Sequence, residues 1–208
     1  MPQDQPNHLL LLQRFLLEQT DDSHTVSAAD ILSYWESYGI KLGRKSVYSA
    51  IEILQNSGMD IVCVKSTQNH YFVGTRLFEL PELKLLVDAV ESSRFITAKK
   101  SKQLIHKIGM LTSEYHATQL NRHIYMDGTA KPENECIYYT VDKIQTAIQE
   151  KRKISFQYYE YTPRKEKILK HDGYRYQFSP YALIWSRDYY YVVGWSDKHG
   201  TLAQFRVD

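Results

Sequence analysis

At 208 residues the chain is long enough for one large domain or two small ones, and a hydrophobic content of 43% argues against a disordered chain. Its net charge of +2 does not identify a nucleic-acid binder and is unevenly spread: residues 1–80 hold 6 Lys/Arg against 9 Asp/Glu, and residues 81–208 hold 20 against 15. A DNA contact by the first third must therefore rest on where its cations sit. Cys63 and Cys136 form no CxxC pair, which argues against a disulfide framework and fits a reducing compartment. The apolar run at residues 8–17 is short, is broken by Gln13 and Arg14, and lacks a cleavage site. It reads as a core helix, not a signal peptide or membrane span, so the expected location is the cytoplasm with no membrane partner.

In chain order, the first predicted helix carries Leu9, Leu12 and Leu16 on one face and ends in the polar stretch at residues 20–25. Ser27 and Asp30 have the spacing of a capping box opening a second helix, which Gly39 stops. A third helix runs from Arg44 to about Asn56, with Val47, Ile51 and Leu54 at the i, i+4, i+7 spacing of a buried stripe. Two short extended runs, 61–65 and 71–73, follow as a hairpin. Helix returns over 81–118, where Leu83, Leu86, Val87 and Val90 share a face and a second segment covers roughly 98–118. Residues 121–136, with Gly128 and Pro132, read as a connector.

Beyond Cys136 the composition changes, with 11 of the 17 tyrosines lying there. A helix over about 141–150 precedes an alternating run at 154–161. Short strands are expected near 166–170, 174–178, 181–185, 189–195 and 201–207, punctuated by Gly173, Pro180 and Gly200. Many short aromatic strands at this spacing suggest a small barrel.

Three helices followed by a hairpin is the order of a winged helix-turn-helix, in which the third helix enters the major groove. Lys41, Arg44 and Lys45 gather at the N-terminus of that helix, where the backbone N–H groups also favour a phosphate. Ser46, Tyr48 and Ser49 complete the candidate DNA-binding set. The competing reading of residues 7–57 is a helical bundle with a solvated basic corner; the hairpin placed directly after the third helix favours the first.

Residues 44–54, followed by Gly58-Met-Asp-Ile61, resemble the recognition helix and first wing strand of WYL-domain transcriptional regulators. Ser179-Pro-Tyr-Ala-Leu183, then residues 188–195, then Phe205-Arg-Val-Asp208 resemble the WYL domain itself. The family's Trp-Tyr-Leu signature falls here on Tyr189, Tyr190 and Tyr191. Ser49-Ala50 stands where an Arg-Asp pair is common, which removes a usual phosphate or base contact. The chain stops inside the family's Phe-Arg-x-Asp-Arg motif, so on this resemblance it looks C-terminally truncated. The resemblance implies an α+β protein in three parts: a winged helix-turn-helix over 1–80, a helical linker and connector over 81–136, and an Sm- or SH3-like β-barrel sensor over 137–208. It implies a bacterial regulator that binds double-stranded DNA, as a homodimer, and senses a single-stranded nucleic acid or a nucleotide-like effector.

Tyr158, Tyr189 and Tyr190 would supply stacking faces to such an effector, and Arg187 and Arg206 guanidinium forks. Each tyrosine has core packing as its alternative role. Arg206 leads the set because it alternates with apolar Phe205 and Val207. Lys151-Arg-Lys153 reads as a solvated helix end, which could add to a nucleic-acid patch.

No enzyme, metal site or cofactor is expected. The chain has no GxSxG, HExxH or Gly-rich phosphate loop; His116 and His123 have no cysteine at zinc spacing, and Glu133 and Glu135 read as a solvated pair. The rival to a regulator is a single-strand nucleic-acid binder or an accessory protein-interaction module without operator recognition. The acidic balance of residues 1–80 and the Ser49-Ala50 replacement speak for it.

Overall fold

The computed structural model describes residues 7–93, 95–120, 137–164 and 166–207. They form two compact units. One holds the described residues up to Glu91 and those from Lys102 to Leu120; the other holds Ser92–Ser101 and the described residues from Ile137 onward. The connector over 121–136, with His123, Glu133, Glu135 and Cys136, lies outside the described residues.

In the first unit, helix α1 (His8–Gln19) opens on Asn7, whose side chain accepts from the Leu9 amide at 2.9 Å. It buries Leu11, Leu12 and Leu16. Strand β1 (Val26–Ser27), too short to leave a pattern in the sequence, leads into α2 (Ala28–Ser37). Both arms of the Ser27–Asp30 capping box are made, and Gly39 follows the helix at φ 77°. Helix α3 (Arg44–Asn56) buries the expected stripe of Val47, Ile51 and Leu54, to which Ala50 is added.

Strands β2 (Ile61–Lys65) and β3 (Asn69–Val73) pair as the expected antiparallel hairpin. β1 joins the free edge of β3, giving the order β1-β3-β2. A single apolar cluster, with Trp35, Leu12, Leu16, Ile31 and Val47 fully buried, closes the three helices on this sheet. Next come α4 (Leu80–Ser92), α5 (Ala98–Gly109) and α6 (Glu114–Leu120). The single segment expected over 98–118 is thus two helices, because the Ser113 hydroxyl accepts from the His116 amide at 3.1 Å and starts a new one. Leu83 and Val87 are buried with Leu120, while Leu86 stays 39% exposed.

In the second unit, α7 (Ile137–Gln149) begins four residues before the expected start. Strand β4 (Ile154–Gln157) is followed by a side hairpin of β5 (Tyr159–Tyr161) and β6 (Lys167–Leu169). Then come β7 (Arg175–Ser186), β8 (Tyr189–Ser196) and β9 (Thr201–Arg206), in an antiparallel sheet of order β4-β7-β8-β9.

Two expectations are corrected here. The strands predicted at 174–178 and 181–185 are one. Pro180 sits at a register shift where β4, whose pairing stops opposite Phe178, no longer needs a donor from β7. The small Sm- or SH3-like barrel is also not closed: among the described residues no pairing joins β4 to β9. Four strands, one of them four residues long, give too little sheet to bond its own two edges.

Ile144 of α7 packs on Phe178 and Val192 to make the core of this unit. Among the described residues no helix is long and apolar enough to cross a membrane.

Candidate nucleic-acid interface and ligand cavity

Burial of Val47, Ala50, Ile51 and Leu54 fixes which side of α3 turns outward. Lys41, Arg44, Lys45, Tyr48 and Ser49 are all exposed; Ser46 is half-buried, its amide donating to the Gly43 carbonyl at 2.9 Å. Gly43 caps the helix without a side-chain hydrogen bond, so no side-chain acceptor at the cap offsets the positive end of the helix. The six sequence-predicted residues thus lie at one end of one helix, five of them open to solvent. The exposed tip of the β2–β3 hairpin follows in the chain, with Lys65 at the end of β2 also exposed. Three cations, an aromatic hydroxyl and a serine around an uncapped helix start can hold phosphates and reach base edges.

In the second unit a cavity of about 370 Å³ opens between α7, β4 and β9. Ile144, Phe156, Val192 and Phe205 give it an apolar floor. Phe205 stands edge-on to Phe156 at 5.0 Å and to Phe178 at 5.3 Å, which fixes β9 against the other aromatics. Of the sequence-predicted effector residues, Tyr158 and Arg206 line this cavity. Tyr189 does not, but the Arg206 guanidinium lies 4.7 Å over its ring, so Tyr189 backs a lining residue.

Tyr190 is engaged elsewhere, edge-on to Trp185 at 4.7 Å and to Phe95 at 5.4 Å. Arg187 stands apart. With Asp188 it forms the two-residue turn from β7 to β8, at φ 49° and 64°, the left-handed pair that a tight hairpin demands. Lys153, expected to be solvated, is exposed and also pairs with Asp197 at 2.6 Å.

The sequence reading missed Lys143, Gln157 and Tyr159 in the lining. Gln157 and Tyr159 flank Tyr158 and were legible as part of the same polar-aromatic run. Lys143 precedes core residue Ile144 on a helix whose first turn was not foreseen. An ammonium, a guanidinium and tyrosine hydroxyls above an aromatic floor suit a flat, anionic ligand.

Residues 139–208 match the family model described as the WYL domain, a span that takes in the entire cavity lining. Among solved structures the chain is similar to proteasome accessory factor B/C (PafBC) of Arthrobacter aurescens. The identity is 15% and the TM-score 0.28, with 97% of this chain and 31% of that chain covered. The chain therefore spans about a third of the length of that protein. No curated protein matches it.

Proposed function

We propose that this chain is a ligand-responsive, DNA-binding transcription regulator that acts as a homodimer in the cytoplasm, without catalysis. In this reading residues 1–80 are a winged helix-turn-helix that reads one half of a two-fold operator. Residues 81–136 are the linker, and residues 137–208 bind a nucleic-acid or nucleotide-like effector in the cavity lined by Tyr158 and Arg206. The single observation that supports it most is α3, with its apolar stripe buried and Lys41, Arg44, Lys45 and Ser49 exposed between a short turn and a hairpin. The match of residues 139–208 to the WYL domain supports the sensing half. An effector would act by binding two poses of the dimer unequally.

Fluorescence anisotropy of the full chain with promoter DNA tests the reading. Arg44→Ala with Lys45→Ala is expected to weaken duplex binding and to lower the slope of log K against log salt by about two. Arg206→Ala is expected to leave the duplex alone and to weaken a single-stranded oligonucleotide. Duplex binding without sequence preference and indifferent to the double substitution would sink the regulator reading.

A second reading, a single-strand binder or accessory module, is favoured by the acidic excess of residues 1–80 and by Ser49-Ala50. It predicts that Arg206→Ala abolishes all nucleic-acid binding and that the α3 substitutions change nothing.

A further inference from the structure

We propose that the Asp21 and Asp22 carboxylates and the His116 imidazole together bind one transition-metal dication of the zinc class. The site joins the segment after α1 to α6 within the first unit, and it is independent of the DNA and effector readings.

The three ligand atoms lie within 4.8 Å of one another. His116 Nε2 stands 3.8 Å from Asp21 Oδ2 and 3.8 Å from Asp22 Oδ1. That separation is beyond hydrogen-bond reach. It is close to the spacing of two ligands on a shared ion, about 3.4 Å for tetrahedral geometry with bonds of about 2.1 Å. The comparison with His24 is telling, because its Nδ1 closes on the same Asp21 carboxylate to 2.7 Å. His116 instead sits equidistant from two carboxylates and closes on neither.

Asp21 is prepared for the role. Its side chain is only 2% exposed, and its Oδ1 is taken by the Ser23 amide at 3.0 Å, the His24 amide at 2.9 Å and the His24 ring. Oδ2 accepts from the Ser113 hydroxyl, which leaves its second lone pair for a ligand on the His116 side. Ser113 in turn accepts from the His116 amide, and the His24 ring stacks on Tyr115 at 3.6 Å and 1°. The Asp21 carboxylate is thus held by a surrounding shell, the arrangement that orients metal-binding side chains, and the backbone of His116 is tied to the same serine. Asp22 is 77% exposed and has the freedom to close the last few tenths of an ångström. One imidazole nitrogen with two carboxylates favours zinc-class ions over magnesium or calcium, which take oxygen ligands. A fourth position, beside exposed Asp22, is left to water.

The test is calorimetric titration of the chelator-treated full chain with ZnCl₂, alongside thermal melts with and without the metal. One site per chain is expected, with a rise in Tm under Zn²⁺ and none under Mg²⁺ at the same concentration. Asp22→Asn and His116→Gln should each weaken Zn²⁺ binding by at least about tenfold. Asp22 is largely solvated, so Asp22→Asn keeps the metal-free fold, which its own melt verifies. Cobalt(II) gives a second readout, a visible ligand-field band in the wild type that both variants lose. No saturable binding, or binding that both variants retain in full, overturns the proposal; the second result would assign the metal to histidines elsewhere.

Discussion

Asp21 is a carboxylate almost withdrawn from water, and its neighbours decide its charge. Burial pushes its pKa up, but hydrogen bonds from Ser113, His24 and the Ser23 amide outweigh that, so the folded carboxyl titrates below its ordinary value. A group whose folded pKa is depressed stabilises the protein above its unfolded value of about 3.9 and stops doing so as pH falls through the folded one. Ser113→Ala removes one of these donors. In urea melts at pH 7 it is expected to cost about 1–3 kcal/mol, and its further loss of stability below about pH 4 should be shallower than in the wild type. A variant that follows the wild-type pH curve would show that Ser113 does not hold the charge. The contrast with Ser27 shows what a sequence makes readable at this level. Ser27 and Asp30 are three residues apart, so their reciprocal caps follow from local spacing alone. Asp21 and Ser113 are separated by 92 residues and meet only once the chain has folded.

The first three helices and the hairpin were legible because each carries its own period and its own stop, as α3 does with Val47, Ile51 and Leu54 ahead of Gly58. The second unit was harder to parse. Proline is ordinarily a strand breaker, yet Pro180 lies inside β7, since its missing donor faces the side that β4 has already left. The barrel inferred from many short strands failed for a related reason: two of them merged and β6 paired apart with β5, which left a sheet of only four. Gly194, inside β8, carried a signal of its own. A Cβ there would overlap the Ser179 carbonyl oxygen on β7 and come within 2.8 Å of the Phe178 ring. Gly194→Ala is therefore expected to destabilise by about 1–3 kcal/mol by forcing β7 and β8 apart. A melting temperature equal to that of the wild type would mean the sheet relaxes freely at this point. At the candidate sites, Arg206 lines the cavity together with Phe205 and Val207, from which alternation along β9 had set it apart, while Lys143 lies inside the helix expected over about 141–150 and carried no local pattern that pointed to the strands.

For the molecule as a whole, the proposed function puts a sensing cavity and a DNA-reading helix in one chain, and two such sites would have to obey reciprocity. If a single-stranded oligonucleotide changes duplex affinity by some factor, the duplex must change oligonucleotide affinity by the same factor. Competition-free titrations of each ligand, with the other saturating or absent, are expected to give matching ratios different from one. Ratios of one would mean that two sites share a chain without communicating. The attachment of α1 also bears on how this chain is made. The Thr20 hydroxyl, fully buried just past that helix, accepts from the amide of Val73, 53 residues further on, and the neighbouring Asp21 waits for Ser113. During synthesis α1 leaves the ribosome well before the partners that fasten it. Until those partners leave the exit tunnel, Leu11, Leu12 and Leu16 are open to chaperones, which makes this helix dependent on chain that is made after it.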